Sequence, residues 1–340
     1  MPGNAKFHFN DVAIIAVEAC EPPIVVTSAQ IDERLAPFYE RIGTPPGLLS
    51  SLVGIEERRQ WPADISFMDA AVLAGEKAII SSGINREKIG LIIDTSVCRE
   101  RLEPSSAVTV HHKLGMPSTC INFDLSNACL GFVNGMHMAG AMLESKQIDY
   151  ALIVDGEGTR EISENTIQGL LKKGATFDDL FLNFASLTLG SGSAAMVIGR
   201  QSENPGSHPI LGGFFHAATE HHDLCVGSLQ SMRTDTSALL KAGTEVAKQA
   251  WEAGGPKREW LEKDLYILHQ VSLVHTKSMI DVLGLPSDKV PMTFPYYGNI
   301  GPAAIPITLA NEQANLNTGD TLLCLGIGSG LNTALLELQW

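Results

Sequence analysis

An α/β fold built from two similar halves follows from three features of the 340-residue sequence. A short motif recurs half a chain later, continuous apolar strands alternate with helix-like stretches, and each half ends in a Gly-Ser-rich turn. The motif Leu114-Gly115-Met116-Pro117-Ser118 returns as Leu283-Gly284-Leu285-Pro286-Ser287, 169 residues on, and such self-similarity marks internal duplication. Each copy lies between a helix-like stretch, 105–113 or 272–282, and a strand-like one, 120–125 or 290–294. Upstream, Ser66 and Asp69 form a capping-box start to a helix ending near Gly83, followed by an apolar strand at 89–94. The second half answers with a helix over about 236–253 and a strand at 265–268. Downstream, strand 150–154 leads eventually to Leu189-Gly190-Ser191-Gly192, and strand 321–325 leads directly to Gly326-Ile327-Gly328-Ser329-Gly330, so both halves are expected to end in a hairpin. Continuous apolar strands between helices imply parallel-type sheets covered on both faces. The halves 1–200 and 201–340 are therefore read as one integrated, layered domain. The segment 156–186 has no counterpart in the second half and reads as an insertion serving as a cap or an interface.

The composition narrows the function. Hydrophobic content of 44% suits a globular chain with a well-buried core. The longest early apolar stretch, 12–17, is too short for a signal-peptide core, and no later run approaches the ~20 apolar residues of a membrane span. A cytoplasmic protein without a membrane span is expected. The six cysteines show no C-x-x-C spacing, which favours reduced thiols over a zinc ribbon or a disulfide scaffold. A formal charge of −14 without a basic cluster disfavours nucleic acid, whose phosphates need Lys and Arg, and equally disfavours an acidic protein partner.

Three residues can do chemistry together. Cys129 sits where the strand ending near Leu125 must turn into a helix running to about Leu143. Helix N-terminal N–H groups stabilise a thiolate, lowering its pKa, and can hold an oxyanion when a thioester carbonyl is attacked. Gly131, Gly135 and Ala139 form a small-residue stripe that lets this helix pack in the interior. Taken alone, a cysteine in such a place is more often a buried structural thiol. The repeat changes that reading, because an offset of 169 carries Cys129 to Gly298, next to Asn299, in the matching turn of the second half. His269 follows the strand 265–268 and so falls at a carboxyl-terminal strand edge, where α/β proteins place their sites.

The runs Asn127-Ala128-Cys129-Leu130-Gly131-Phe132, His269-Gln270-Val271-Ser272, Tyr297-Gly298-Asn299-Ile300-Gly301-Pro302-Ala303 and Gly326-Ile327-Gly328-Ser329-Gly330 occur in this order. In that combination, which spans essentially the whole chain, the sequence resembles the ketoacyl synthase III enzymes of the thiolase superfamily. Leu102-Glu103-Pro104-Ser105, Ile148-Asp149-Tyr150-Ala151-Leu152 and 326–332 resemble in particular the acyl-CoA condensing enzymes of bacterial olefin and β-lactone formation. The resemblance implies a thiolase-like αβαβα layered fold and a homodimer that joins two long-chain acyl-CoAs without decarboxylation to give a β-keto acid. It implies no cofactor beyond the coenzyme A thioesters that are substrates, no metal, and downstream pathway enzymes as further partners. In that scheme Cys129 carries the acyl group, the N–H groups of Cys129 and Ser329 hold the oxyanion, and His269 and Asn299 stabilise the enolate. Glu103 is the candidate base, on a loop reaching into the partner subunit; the plainer alternative is that Glu100 and Glu103 balance Arg99 and Arg101 on the surface.

One departure favours acyl-CoA over a carrier protein. Ketoacyl synthase III enzymes often follow this histidine motif with an arginine that helps dock the acidic carrier, whereas Ser272-Leu273-Val274-His275 offers none. Other signals are set aside. Too few residues follow Gly326-x-Gly328-x-Gly330 for a dinucleotide fold. The order Gly190-Ser191-Gly192-Ser193 is not that of a hydrolase elbow. The run His221-His222-Asp223-Leu224-Cys225 lacks a second ligand cluster, and Cys324 lies inside a strand, which makes a degradative thiolase a weak match. Two competing functions remain: a decarboxylating synthase that uses malonyl groups, and a non-condensing subunit of a heterodimer.

Overall fold

The computed structural model describes residues 5–228, 231–255 and 260–340. Its strands in chain order are β1 (Lys6–His8), β2 (Ala13–Cys20), β3 (Ile24–Thr27), β4 (Glu57–Gln60), β5 (Ile89–Asp94), β6 (Ile121–Asp124) and β7 (Tyr150–Glu157). They continue as β8 (Gly192–Gly199), β9 (His208–Ala217), β10 (Cys225–Gly227), β11 (Met232–Thr234), β12 (Leu265–Leu268), β13 (Thr321–Gly328) and β14 (Asn332–Gln339). The main sheet divides into two arms, β6-β5-β7-β8-β2 and β12-β13-β14-β9 with β1 beside β9. They are joined where β2 meets β9, through the pairs Ala13↔Pro209 and Ile14↔His208. In the first arm β6, β5, β7 and β2 run in one direction and β8 runs against them; in the second β12, β13 and β9 share a direction and β14 runs against them. Strands β2, β5, β7 and β8 are thus answered by β9, β12, β13 and β14. Because β1 joins the second arm, the amino terminus crosses the boundary drawn at residue 200.

Helices cover both arms and fill the space between them. Helix Gly131–Glu144 and helix Ala304–Glu312 lie in the middle, where Phe132, Val133, Met136, Ile305 and Leu309 share one apolar cluster with Leu91, Ile153, Cys324 and Leu336. Helices Phe67–Ser82 and Ser106–Lys113 cover the outer face of the first arm, and helices Thr236–Gly254 and Leu273–Leu283 that of the second. The layers are therefore helix, sheet, helix, sheet, helix. Strands β7 and β8 are buried along their whole length, as expected when both faces are covered. The capping box of Ser66 and Asp69 and the left-handed Gly83 bound the helix they were expected to bound.

The repeated motif has the same geometry in both places. Gly115 (φ 61°) and Gly284 (φ 70°) are both left-handed, which suits glycine at a helix end. Met116 N–H donates to the His111 carbonyl at 3.1 Å and Leu285 N–H to that of Ile280 at 2.9 Å, five residues back in each case. After each motif, Cys120 N–H returns to Pro117 and Lys289 N–H to Pro286.

Two expectations need correction. Residues 290–294 form no strand: the side-chain amide of Gln270 donates to the Pro291 carbonyl (2.8 Å), and its oxygen accepts from the N–H groups of Thr293 and Phe294. Pro291 has no N–H to give to a ladder, so a side chain takes the place of the pairing partner and β12 is left as the edge. Residues 189–192 are not a tight hairpin turn either. Strands β7 and β8 are antiparallel neighbours, but two helices, Arg160–Leu171 and Phe177–Leu187, are inserted between them. That insertion packs on helix Ser28–Ile42 through Ile31, Leu35, Phe38, Ile167, Leu170 and Leu180.

The outer helix sits directly on the sheet at Gly156, where a Cβ would lie 2.0 Å from the Phe67 carbonyl oxygen and 2.9 Å from Ala71 N. Backbone cannot yield as a flexible side chain does. Gly156→Ala is expected to lose about 3 kcal/mol of stability in urea denaturation, the upper part of the overpacking range. A loss below about 0.5 kcal/mol, the level of an ordinary surface change, would contradict the close packing.

Candidate active site

The turn that holds Cys129 is built by backbone. After β6, Leu125 N–H still donates to the Asp94 carbonyl (2.9 Å), and the chain then reverses through Ala128 at φ 46°. A non-glycine residue there costs on the order of 1 kcal/mol, which the surroundings must offset. Leu130 N–H donates to Asn127 O (3.0 Å) and Gly131 N–H to Ala128 O (3.1 Å), so the helix starts immediately after the cysteine. The small-residue stripe is what seats it. A Cβ on Gly131 would stand 2.7 Å from the Thr95 carbonyl, one on Gly135 2.9 Å from the Thr95 methyl, and Ala139 is fully buried.

The matching turn contains Gly298 at φ 69°, followed by Asn299. Backbone geometry therefore pairs Ala128 with Gly298 and Cys129 with Asn299, one residue away from the correspondence given by the sequence offset. Asn299 is tied on both sides: its N–H donates to Thr188 O and its carbonyl accepts from Gly190 N–H, each at 2.9 Å. Its side-chain oxygen accepts from Gly301 N–H at 3.1 Å. The amide is thereby oriented, and its NH₂ end remains for a substrate oxygen.

His269 follows β12 with its N–H on the Leu325 carbonyl (2.8 Å) and is 3% exposed. The next residues of β13 reach the cysteine turn. A Cβ on Gly326 would lie 2.4 Å from Leu130 Cδ1, and one on Gly328 2.9 Å from Asn127 O and 3.2 Å from Leu130 N. Ser329 follows in the turn before β14, so its N–H belongs to a loop pressed against the cysteine turn. Asn332 donates to the Asn127 side chain (3.2 Å), which donates to Asn134 (2.7 Å) and holds the two loops together.

The electrostatics differ from the expected lowering of the thiol pKa. Burial pushes the Cys129 thiol up to about 12, and Cys225, Glu157 and Asp155 act in the same direction. Cys129 keeps some accessible surface, yet its surroundings are protein, and desolvation outweighs the helix start. Burial also pulls His269 down to about 3, with His275 adding to the effect and the Gly301 carbonyl opposing it. Burial thus favours the neutral form of both the thiol and the imidazole.

Glu157 lies beside this site and was missed in the sequence. It is 4% exposed, its carboxyl carbon is 3.7 Å from where a Gly301 Cβ would sit, and it accepts from Val97 N–H at 2.6 Å. Burial raises it to about 7, while Cys98 and Val97 oppose the shift. The available signal was Asp155-Gly156-Glu157 at the end of an otherwise apolar strand, since carboxylates seldom enter such a place without a task.

Glu103 stands apart from the three site residues. It is exposed, beside Leu102 at 95% exposure. Among the described residues none hydrogen-bonds or ion-pairs with it: Arg101 bonds Pro104 O and Thr109, and Arg99 faces Asp124. The surface-balance alternative therefore lacks its contacts. Among the described residues no group of three or more His, Cys, Asp or Glu is placed to hold a metal ion.

Family models for 3-oxoacyl-[acyl-carrier-protein] synthase III match residues 123–217, and for its C-terminal part residues 259–340. The acyl-CoA:acyl-CoA alkyltransferase of Xanthomonas campestris pv. campestris is 42% identical over 336 residues, covering 98% of this chain and 99% of the relative. This chain belongs to that alkyltransferase family. A relative of the same name from Shewanella oneidensis is 36% identical, covering 94% of this chain and 95% of its own. The fold agrees throughout. A cysteine-to-serine variant of Xanthomonas campestris OleA, solved with bound lauric acid and lauroyl-CoA, superposes with a TM-score of 0.96 at 41% identity, covering 98% of this chain and all of that one. As a family member the chain is an acyl-transferring condensing enzyme with the thiolase-like fold.

The raised Glu157 gives a pH test. A carboxyl at about 7 in the fold and about 4.5 when unfolded destabilises the fold increasingly as pH rises through that interval, by up to about 3 kcal/mol. Glu157→Gln keeps an acceptor for Val97 and removes the charge. Its melting temperature relative to the parent is expected to be more favourable at pH 8 than at pH 5; an equal or opposite difference would place the charge elsewhere.

Proposed function

We propose that the chain joins two long-chain acyl-CoAs by non-decarboxylative Claisen condensation. The observation that supports this reading is that the turn holding Cys129 is pressed against Gly326 and Gly328 of β13, while His269 is buried at the end of neighbouring β12 and the matching turn fixes the amide of Asn299. The Cys129 sulfur attacks the first thioester carbonyl while its proton passes to His269, the N–H groups of Cys129 and Ser329 hold the oxyanion, and coenzyme A leaves with a proton. The second acyl-CoA gives up an α-proton to Glu103, and His269 and Asn299 hold the enolate oxygen. Its α-carbon then attacks the acyl-cysteine carbonyl, a carbon–carbon bond forms, and the Cys129 thiolate departs and is reprotonated. Water hydrolyses the remaining thioester to the β-keto acid and a second coenzyme A.

A neutral site suits this chemistry. Two acyl chains must enter without paying to desolvate a resting ion pair, and donors already fixed cost no reorganisation when the enolate forms. A malonyl-using synthase obtains its carbanion from carbon dioxide loss; here a base is needed.

The base is supplied by a second copy in a homodimer. Supporting this are the exposed position of Glu103 and the apolar surface around it: Leu102, Val97 and Val108, with Ile121 on the edge strand β6. An apolar edge strand of this kind favours pairing with another chain. Acyl-CoA substrates place the reaction in the cytoplasm, with enzymes that consume the β-keto acid downstream.

Incubation with a long-chain acyl-CoA alone should release two coenzyme A molecules per β-keto acid, measured by thiol titration and mass spectrometry. Cys129→Ala should show no acyl adduct and no product. Product that forms only after malonyl-CoA is added would contradict the reading, and absence of any acyl adduct on Cys129 would favour a non-condensing subunit.

A further inference from the structure

The loop that carries Glu103 is tied down at both ends, and its far end is tied by the strand that delivers the nucleophile. At the near end Ser96 N–H donates to Asp94 (2.9 Å) and Val97 N–H to Glu157 (2.6 Å). At the far end, Asp124 accepts the Ser106 N–H on one carboxylate oxygen at 3.0 Å and the Ala107 N–H on the other at 2.8 Å. These are the first N–H groups of helix Ser106–Lys113, and Ser105, which occupies the capping position, makes no side-chain cap bond. Asp124 therefore does from another element what a local cap does elsewhere, with its charge at the favourable end of the helix. It also draws in Arg99 of the same loop, at 3.9 Å with 11% of the Asp124 side chain exposed. Asp124 is the last residue of β6, and Cys129 follows five residues later.

We propose that Asp124 is a positioning residue for the proton-abstraction step, fixing the Glu103 loop to the strand that presents Cys129. The inference rests on the reading of Glu103 as the base. Transfer of Cys129's first acyl group does not use Glu103, so it does not need the loop in place. Proton removal from a weakly acidic carbon does, because misplacement by about 1 Å can cost about a hundredfold in rate.

Two rates separate these roles: a single turnover of Cys129 acylation, followed by intact-protein mass, and steady-state β-keto acid formation. They are compared across the parent, Glu103→Ala, Asp124→Ala and the double variant, with Asp124→Asn as the conservative change that keeps one acceptor. Asp124→Ala is expected to acylate within about twofold of the parent and to condense at least about tenfold more slowly, with no further loss when added to Glu103→Ala. Asp124→Asn should fall between. If the alanine variant fails to fold, the asparagine variant carries the same cycle. The proposal is overturned if Asp124→Ala condenses normally, if acylation falls in the same proportion, or if its loss multiplies with that of Glu103→Ala. A Glu103→Ala protein that condenses normally removes the base itself, and the positioning role with it.

Discussion

The structure depends on one close approach: a buried helix starting immediately after Cys129, pressed between the sheet and a glycine loop. Gly131 and Gly135 let the helix touch Thr95, and Gly326 and Gly328 let β13 touch Leu130 and Asn127. A side chain at any of these points would move the sulfur relative to its neighbours. The same contacts compensate the unfavourable backbone of Ala128. With both loops joined through Asn127 and Asn332, the thiol is held by packing that cannot relax at one point alone.

Burial that gives this rigidity also sets the charge state. Desolvation raises Cys129 and lowers His269, and it raises Asp94 to about 6, Glu157 to about 7 and Asp155 well above the usual range. Burial thus favours the neutral forms of Cys129 and His269, with carboxyls behind them hydrogen-bonded to the root of the Glu103 loop. Glu103, the proposed base, sits outside this region, on an exposed loop. The division has a chemical logic: acyl transfer needs oriented dipoles, whereas proton abstraction needs a charged acceptor delivered to the site.

Much of this was legible in the sequence because duplication leaves local signals. The Leu-Gly-x-Pro-Ser motif marked two helix ends whose hydrogen bonds coincide, and the small-residue stripe marked a helix that packs closely on Thr95. Residues 290–294 misled because an apolar run with strand composition can be satisfied by a side chain, and nothing local announces that Gln270 does so. The pairing of Cys129 with Asn299 was displaced by one residue because an offset counts residues, while the fold aligns positive-φ positions. Glu157 and Asp124 were overlooked for another reason: their importance comes from partners about 60 and 18 residues away, which only tertiary structure brings together. The trend in thiol acidity was misjudged because helix-end stabilisation is visible in sequence and depth of burial is not.

The central claim is that a fixed, neutral acyl-cysteine site is completed by a carboxylate from a second copy of the chain. Its most direct test mixes two inactive proteins, Cys129→Ala and Glu103→Ala, by co-expression with different affinity tags. Random pairing should restore about a quarter of the parent's condensing sites, because each mixed dimer has one site with both groups intact. If purified mixed dimers form no β-keto acid from acyl-CoA although both parents fold, Glu103 does not act across the interface and the account is wrong at its centre.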